Sequence, residues 1–193
     1  MPTLILASTS PYRKELLTRV GIPFRAVAPQ CDEEQLKDPE LGARMLAQVL
    51  AREKALSVLG EHADHYVLGC DQLVELDGKV LGKPGSLEQA IVQLTQLSGR
   101  AHRLITAFAL VTPDGTLDEH LDIHTLQMRS LSAAEVARYA AHDRPFDCAG
   151  SYKIESRGIA LFERIEGDDF TAITGLPLMA LVNRLRVHGF QLP

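Results

Sequence analysis

Residues Leu4 to Leu17 read LILASTSPYRKELL, and their order fixes how the chain must begin: an apolar strand, a hydroxyl-bearing turn, then a helix. The helix is unusual because Arg13 and Lys14 sit in its first turn. The helix dipole concentrates partial positive charge at that end, so each cation there is disfavoured by roughly 0.3–1 kcal/mol. The arrangement becomes favourable when an anion lies at the turn. Ser8, Thr9 and Ser10 carry hydroxyls that donate hydrogen bonds, Pro11 suits the first helical position, and the free backbone N–H groups of the first turn point outward. The segment reads as a grip for phosphate.

Beyond this opening, apolar strand-like runs alternate with amphipathic helices, which predicts an α/β fold. Strands are expected at Thr3–Ala7, Phe24–Ala28 and Tyr66–Cys70, followed by a hairpin of Leu73–Leu76 and Lys79–Leu81 turning on Asp77-Gly78. Further strands are expected at His102–Thr112, Leu121–Arg129 and Ile159–Arg164, with Pro113-Asp114-Gly115 as a turn between the first two. Helices are expected at Pro11–Val20, Leu41–Leu59, Leu87–Leu97, Ala133–Ala141 and Pro177–Val187. A chain of 193 residues without linker or repeat is expected to form a single domain over residues 1–193.

The net charge of −5 argues against nucleic acid as a partner, since such partners recruit a basic surface, whereas a small phosphorylated ligand needs only a local cluster of cations. Cys31, Cys70 and Cys148 are widely spaced and include no C-x-x-C pair, which fits a reducing compartment. No apolar run approaches the ~20 residues that cross a bilayer, and a signal core is lacking, so a cytoplasmic protein without membrane partners is expected.

Four further segments are chemically loaded. Cys31-Asp32-Glu33-Glu34 is an acidic loop, readable as a solvated turn or as a carboxylate site. Asp71 ends an apolar strand, where ligands of open α/β sheets collect, although an Asp also initiates turns. Lys83 is fixed between Gly82 and Pro84. The helix Leu41–Leu59 is apolar around most of its circumference, with Leu41, Met45, Val49 and Leu56 on one side and Ala43, Ala47, Leu50, Ala51 and Val58 on the other, so cover on both sides is expected. Lys54 lies among the small residues of the second side and either snorkels to water or meets a partner. Arg13, Lys14, Lys54 and Lys83 thus supply positive charge, and Glu33 and Asp71 supply hard oxygens of the kind that hold Mg²⁺ beside substrate phosphates. Cys70 and Cys148 read as small buried residues, and the scattered histidines suggest no site.

S-x-S-P-x-R at Ser8–Arg13, Asp32-Glu33, Glu53–Ala55, Gly69–Gln72, Gly82–Pro84 and Gly175–Leu178 resemble, in that order, the motifs of the Maf family of nucleotide pyrophosphatases. The resemblance implies hydrolysis of a nucleoside triphosphate between its α- and β-phosphates. It implies a two-lobed α/β architecture akin to the inosine triphosphatase group, with a mixed twisted sheet flanked by helices. It also implies a divalent metal (Mg²⁺ or Mn²⁺) and a homodimer. In these terms Asp71 activates water, Glu33 and Asp71 hold the metal, and Ser10, Arg13, Lys54 and Lys83 hold the triphosphate. Maf proteins usually carry a second arginine where this chain has Lys14, which keeps the charge and loses the bidentate fork. The family is also associated with inhibited cell division, so a non-catalytic nucleotide-binding regulator is an alternative; the presence of the water-activating carboxylate favours catalysis.

Within the family, Tyr12, Gln72 and Glu155 resemble the branch acting on 7-methyl-GTP; the branch acting on dTTP and UTP, the second alternative, has arginine, threonine and glutamine there. Methylation at N7 makes the guanine ring cationic, and an aromatic face such as Tyr12 attracts a cation by ~0.5–2 kcal/mol. A carboxylate at Glu155 accepts from guanine N1–H and its 2-amino group. The plainer alternative has Tyr12 packing on the core and Glu155 paired with Lys153 or Arg157.

Overall fold

A computed structural model describes residues 3–36, 38 and 41–192. Seven strands and seven helices alternate along the described chain. The strands are β1 (Leu4–Ala7), β2 (Phe24–Val27), β3 (Tyr66–Leu76), β4 (Lys79–Leu81), β5 (Ala101–Val111), β6 (Leu117–Met128) and β7 (Phe162–Glu166). The helices are α1 (Pro11–Arg19), α2 (Glu33–Leu36), α3 (Ala43–Leu59), α4 (Leu87–Leu97), α5 (Ala133–Asp143), α6 (Phe170–Ile173) and α7 (Leu178–Val187). The sheet is mixed, in the order β2-β1-β3-β5-β6-β7 with β4 on β3. The chain divides into two compact units, Met1–Asp71 with Thr106–Asp122 and Asp169–Pro193, and Gln72–Ile105 with Ile123–Asp168.

In the first unit β1 runs parallel to both β2 and β3, Leu4 lying opposite Phe24 and Tyr66. Every residue of β1 is buried, as expected of a parallel strand covered on both faces. Alternation along β1 sends Leu4 and Leu6 to one face, into a core with Leu16, Leu17, Leu181 and Leu185 of α1 and α7. Burying each such side chain stabilises the unit by ~1.5–3 kcal/mol. The opposite face of β1 is met by α3.

The buried residues of α3 are Ala43, Leu46, Ala47, Leu50, Ala51, Lys54, Ala55 and Val58, one stripe at helical spacing. Met45 is 51% and Leu56 41% exposed, which corrects the expectation of cover on both sides. The small residues Ala51 and Ala55 let the helix come close to the sheet, Leu46, Leu50 and Val58 are buried with them, and Met45 and Leu56 are left outside.

In the second unit β3 and β4 form the expected hairpin, Leu76 opposite Lys79, and Asp77 and Gly78 both take positive φ (51° and 77°), as a primed turn requires. Helix α5 opens on a capping box in which the Ser132 hydroxyl accepts from Glu135 N–H and the Glu135 carboxylate accepts from Ser132 N–H. The strand expected at Ile159–Arg164 starts only at Phe162. Arg157–Leu161 instead form a 3-10 turn, because the N–H groups of Ser156 and Gly158 both donate to the Lys153 carbonyl. A Cβ at Gly158 would lie 2.3 Å from that oxygen, so only glycine permits the closure. The expected strands Tyr66–Cys70 and Leu73–Leu76 are one continuous strand. Cys148, expected to be buried, is only half-buried. No helix among the described residues is long and apolar enough to cross a membrane.

Candidate active site

The site in the first unit starts from a missing side chain. A Cβ on Gly69 would lie 2.1 Å from the Ala51 carbonyl oxygen and 2.6 Å from the Ala55 nitrogen, so α3 rests directly on β3 at this point. Asp71 is two residues further along β3 and shares the face of Gly69. Lys54, between Ala51 and Ala55 in sequence, is thereby brought onto that carboxylate. Its Nζ lies 2.6 Å from Asp71 Oδ1 and 3.0 Å from Glu33 Oε1, the latter at the start of α2. The side chains of Lys54 and Asp71 are each only 8% exposed. Lys54 therefore meets partners rather than water.

Burial pushes the Asp71 carboxyl upward in pKa; the Lys54 ammonium and the Arg13 guanidinium oppose the rise, Glu33 adds to it, and the net direction is up. Its second oxygen, Oδ2, is buried and has no hydrogen-bond partner among the described residues. An unsatisfied carboxylate oxygen inside a protein costs ~1–3 kcal/mol or more, so its retention calls for a chemical reason. Burial also pushes the neighbouring Cys70 thiol up to about 11, which keeps it protonated and unreactive near neutral pH.

Arg13 is held from two sides. Its Nε donates to the Gly175 carbonyl (2.9 Å) and its Nη1 to Ser8 Oγ (3.3 Å). Ser8 Oγ also accepts from Ser10 N–H (3.2 Å), and Ser10 caps α1 by accepting from Arg13 N–H (3.4 Å). The guanidinium has five N–H donors, so the two bonds leave three for an anion. Lys14 is half-buried, and no hydrogen bond or ion pair of its ammonium is found among the described residues. Tyr12 is half-buried as well. Arg13, Ser10, Lys54, Glu33 and Asp71 thus belong to one unit, with Lys54 joining Glu33 to Asp71 and Arg13 biasing the same carboxylate.

The remaining expected residues lie in the second unit. Lys83 is exposed beside buried Pro84, Gln72 is half-buried on β3, and Glu155 is exposed. Among the described residues Glu155 forms no ion pair with Lys153, whose Nζ meets Asp147 at 3.4 Å, or with Arg157. Gln93, unremarked in the sequence, joins the two loops that carry Lys83 and Glu155. Its Nε2 donates to the Gly82 carbonyl (3.0 Å), and its Oε1 accepts from the Ser151 hydroxyl (2.6 Å). Ser8 and Gly175 stood in recognisable motifs, but nothing in the sequence signalled that both hold Arg13.

A family profile described as Maf-like protein matches residues 3–188. The chain is 48% identical over 193 residues to a 7-methyl-GTP pyrophosphatase of Xanthomonas campestris pv. campestris strain 8004, with 100% of both chains covered. It is 48% identical over 178 residues to a 7-methyl-GTP pyrophosphatase of Bdellovibrio bacteriovorus, covering 92% of this chain and 93% of that one. Among solved structures, the Ham1 protein of Staphylococcus aureus aligns over 65% of this chain and 71% of its own, at 14% identity and a TM-score of 0.46. Matched by the profile over nearly its whole length and by full-length relatives, the chain belongs to the Maf family.

Proposed function

We propose that this protein hydrolyses the α–β phosphoanhydride of 7-methyl-GTP to 7-methyl-GMP and pyrophosphate, with residues 1–193 working as one domain. The observation that carries the proposal is Asp71 Oδ2, a buried carboxylate oxygen without a partner, in a carboxylate whose other oxygen is held by Lys54. That oxygen accepts the proton of the attacking water while the water oxygen bonds to phosphorus and pyrophosphate leaves as the bridging P–O bond breaks. Arg13 binds phosphate oxygens with its free N–H groups, preset by Gly175 and Ser8. Ser10, Lys14 and Lys83 add to the grip on the triphosphate. The full-length relatives named 7-methyl-GTP pyrophosphatases support this substrate.

The donor set fits a divalent ion, Mg²⁺ or Mn²⁺. Glu33 and Asp71 are hard oxygen donors joined through Lys54, and no group of three or more His, Cys, Asp or Glu among the described residues makes a protein-only cage. Two carboxylates completed by substrate phosphates are the usual Mg²⁺ environment. When bound, the ion supplies polarisation of the phosphoryl oxygens. Base selection falls to Tyr12, Gln72 and Glu155, with Glu155 accepting from guanine N1–H and the 2-amino group. A homodimer in the cytoplasm, acting on a free nucleotide rather than on nucleic acid, completes the reading.

The test is a panel of nucleoside triphosphates assayed for pyrophosphate release with and without Mg²⁺, on wild type and Glu155→Ala. We expect 7-methyl-GTP to rank first with metal present and the ranking to flatten in Glu155→Ala. Preference for dTTP or UTP overturns the substrate; tight binding without turnover of any nucleotide overturns the activity.

A further inference from the structure

The turn that holds Arg13 is itself held by two buried side chains to which the proposed chemistry gives no role. Asp169 and Thr171 are 3% and 6% exposed. Asp169 caps its own short helix, α6, by accepting from Thr171 N–H (3.0 Å) and from the Thr171 hydroxyl (2.5 Å). Its other oxygen accepts from Met179 N–H (2.7 Å), in the first turn of α7. Thr171 Oγ1 accepts from Leu178 N–H (2.9 Å), and the Leu176 carbonyl, 3.0 Å away, competes for its single proton. Pro177, at the N-cap of α7, has no side chain able to cap, so α6 satisfies the first two N–H groups of α7 in its place.

Between the two helices lies Gly175, at φ +116°, and its carbonyl is the one that receives Arg13 Nε. The turn is tied at both ends: Gly175 N–H donates to Ala172 O (3.0 Å), and the Ala172 carbonyl also accepts from the Thr106 hydroxyl (3.0 Å). A cap needed only for stability would be met by one hydroxyl at position 177. The actual network clamps the backbone on either side of a single carbonyl, and that carbonyl orients a guanidinium.

We infer that Asp169 and Thr171 are positioning residues for Arg13, fixing the Gly175 carbonyl so that the free N–H face of the guanidinium is preset for the phosphate chain. The inference rests on the reading of Arg13 as a phosphate ligand. Presetting removes the rotamer entropy that a long side chain otherwise loses when its anion arrives, so it acts on affinity more than on turnover.

The test uses the full chain as Thr171→Val, Thr171→Ser, Arg13→Ala and the double variant Arg13→Ala/Thr171→Val. Readouts are KM and kcat for 7-methyl-GTP, calorimetric titration with inorganic tripolyphosphate, and thermal melts. Thr171→Val is expected to raise KM and the tripolyphosphate Kd about tenfold, the size of one lost buried hydrogen bond, with kcat nearly unchanged. Thr171→Ser restores both values, and in the Arg13→Ala background Thr171→Val adds no further loss. Unchanged affinity in Thr171→Val, or an equal loss with and without Arg13, overturns the inference. If Thr171→Val does not fold, Asp169→Asn carries the test in the same cycle with Arg13→Ala, because it weakens the hold on Met179 N–H while leaving the Thr171 hydroxyl in place; a loss that vanishes without Arg13 supports the inference, and no loss or an equal loss overturns it. A wild-type protein that binds tripolyphosphate but hydrolyses no nucleotide overturns the proposed activity instead, and the binding cycle still decides the role of Thr171.

Discussion

Each unit buries a polar pair, and the two pairs follow opposite chemistry. In the first unit Lys54 and Asp71 are charged partners 2.6 Å apart. In the second, His102 and Tyr152 share a hydrogen bond of 3.0 Å, and Tyr152 stacks edge-on against Phe162 with ring centroids 5.0 Å apart. Burial pushes His102 down to about 4, so the imidazole is neutral at neutral pH, and it pushes the Tyr152 phenol up, so that pair carries no charge. A buried ion pair recovers its desolvation cost only with good geometry, and well-packed apolar residues would often be as stable. A neutral pair among aromatic rings avoids the cost of burying charge, and leaves only His102 Nδ1 buried without a hydrogen-bond partner among the described residues. The second unit spends its buried polarity on packing, and the first keeps buried charge at the residues proposed for catalysis.

The comparison breaks most visibly at Asp71. Asp71→Asn is expected to lower turnover roughly 10²–10⁴-fold, the range for loss of a general base. Its melting temperature should hold or rise, since burial already disfavours the carboxylate and Lys54 retains Glu33 at 3.0 Å. Near-normal pyrophosphate release would remove Asp71 from the chemistry and with it the contrast.

His102 sharpens the other side. Its folded pKa of about 4 lies below the ordinary 6.5, so between these values the unfolded chain binds the extra proton. Stability contributed by the neutral ring is therefore full above pH 6.5 and is lost as pH falls toward 4. At roughly 1.4 kcal/mol per pH unit the full loss is about 3 kcal/mol. Urea melts at pH 7.5 and 4.5 should show a smaller loss for His102→Gln than for wild type; equal losses would show that this histidine does not titrate with unfolding. The smallest effect is expected from Tyr152→Phe, which removes one hydrogen bond and keeps the rings, costing about 1 kcal/mol by thermal melt. A tenfold change in its turnover would mean that the aromatic cluster reaches into the chemistry after all.

Much of the fold was legible because its signals are local. The Pro11 start and the Asp77-Gly78 hairpin depend on the conformational preferences of a few adjacent residues, and the structure keeps both. Errors fell where close packing or backbone hydrogen bonding overrides the apolar pattern. The wheel of α3 shows apolar residues around most of its circumference, and only the close approach at Gly69 selects the stripe that faces the sheet. Ile159 has strand propensity, yet hydrogen bonds to the Lys153 carbonyl turn its segment into a 3-10 helix.

By itself the sequence determined the parts: which cations and carboxylates exist, the turn and helix that present Arg13, and the motif order that places the chain among Maf proteins. Such features are carried by residue type and short-range spacing. Only the tertiary structure decided that Lys54 is buried between Glu33 and Asp71, that one oxygen of Asp71 has no partner among the described residues, and that Arg13 is seated on a carbonyl 162 residues away. Desolvation and hydrogen-bond geometry depend on what surrounds a group in space, and packing brings those neighbours from distant parts of the chain.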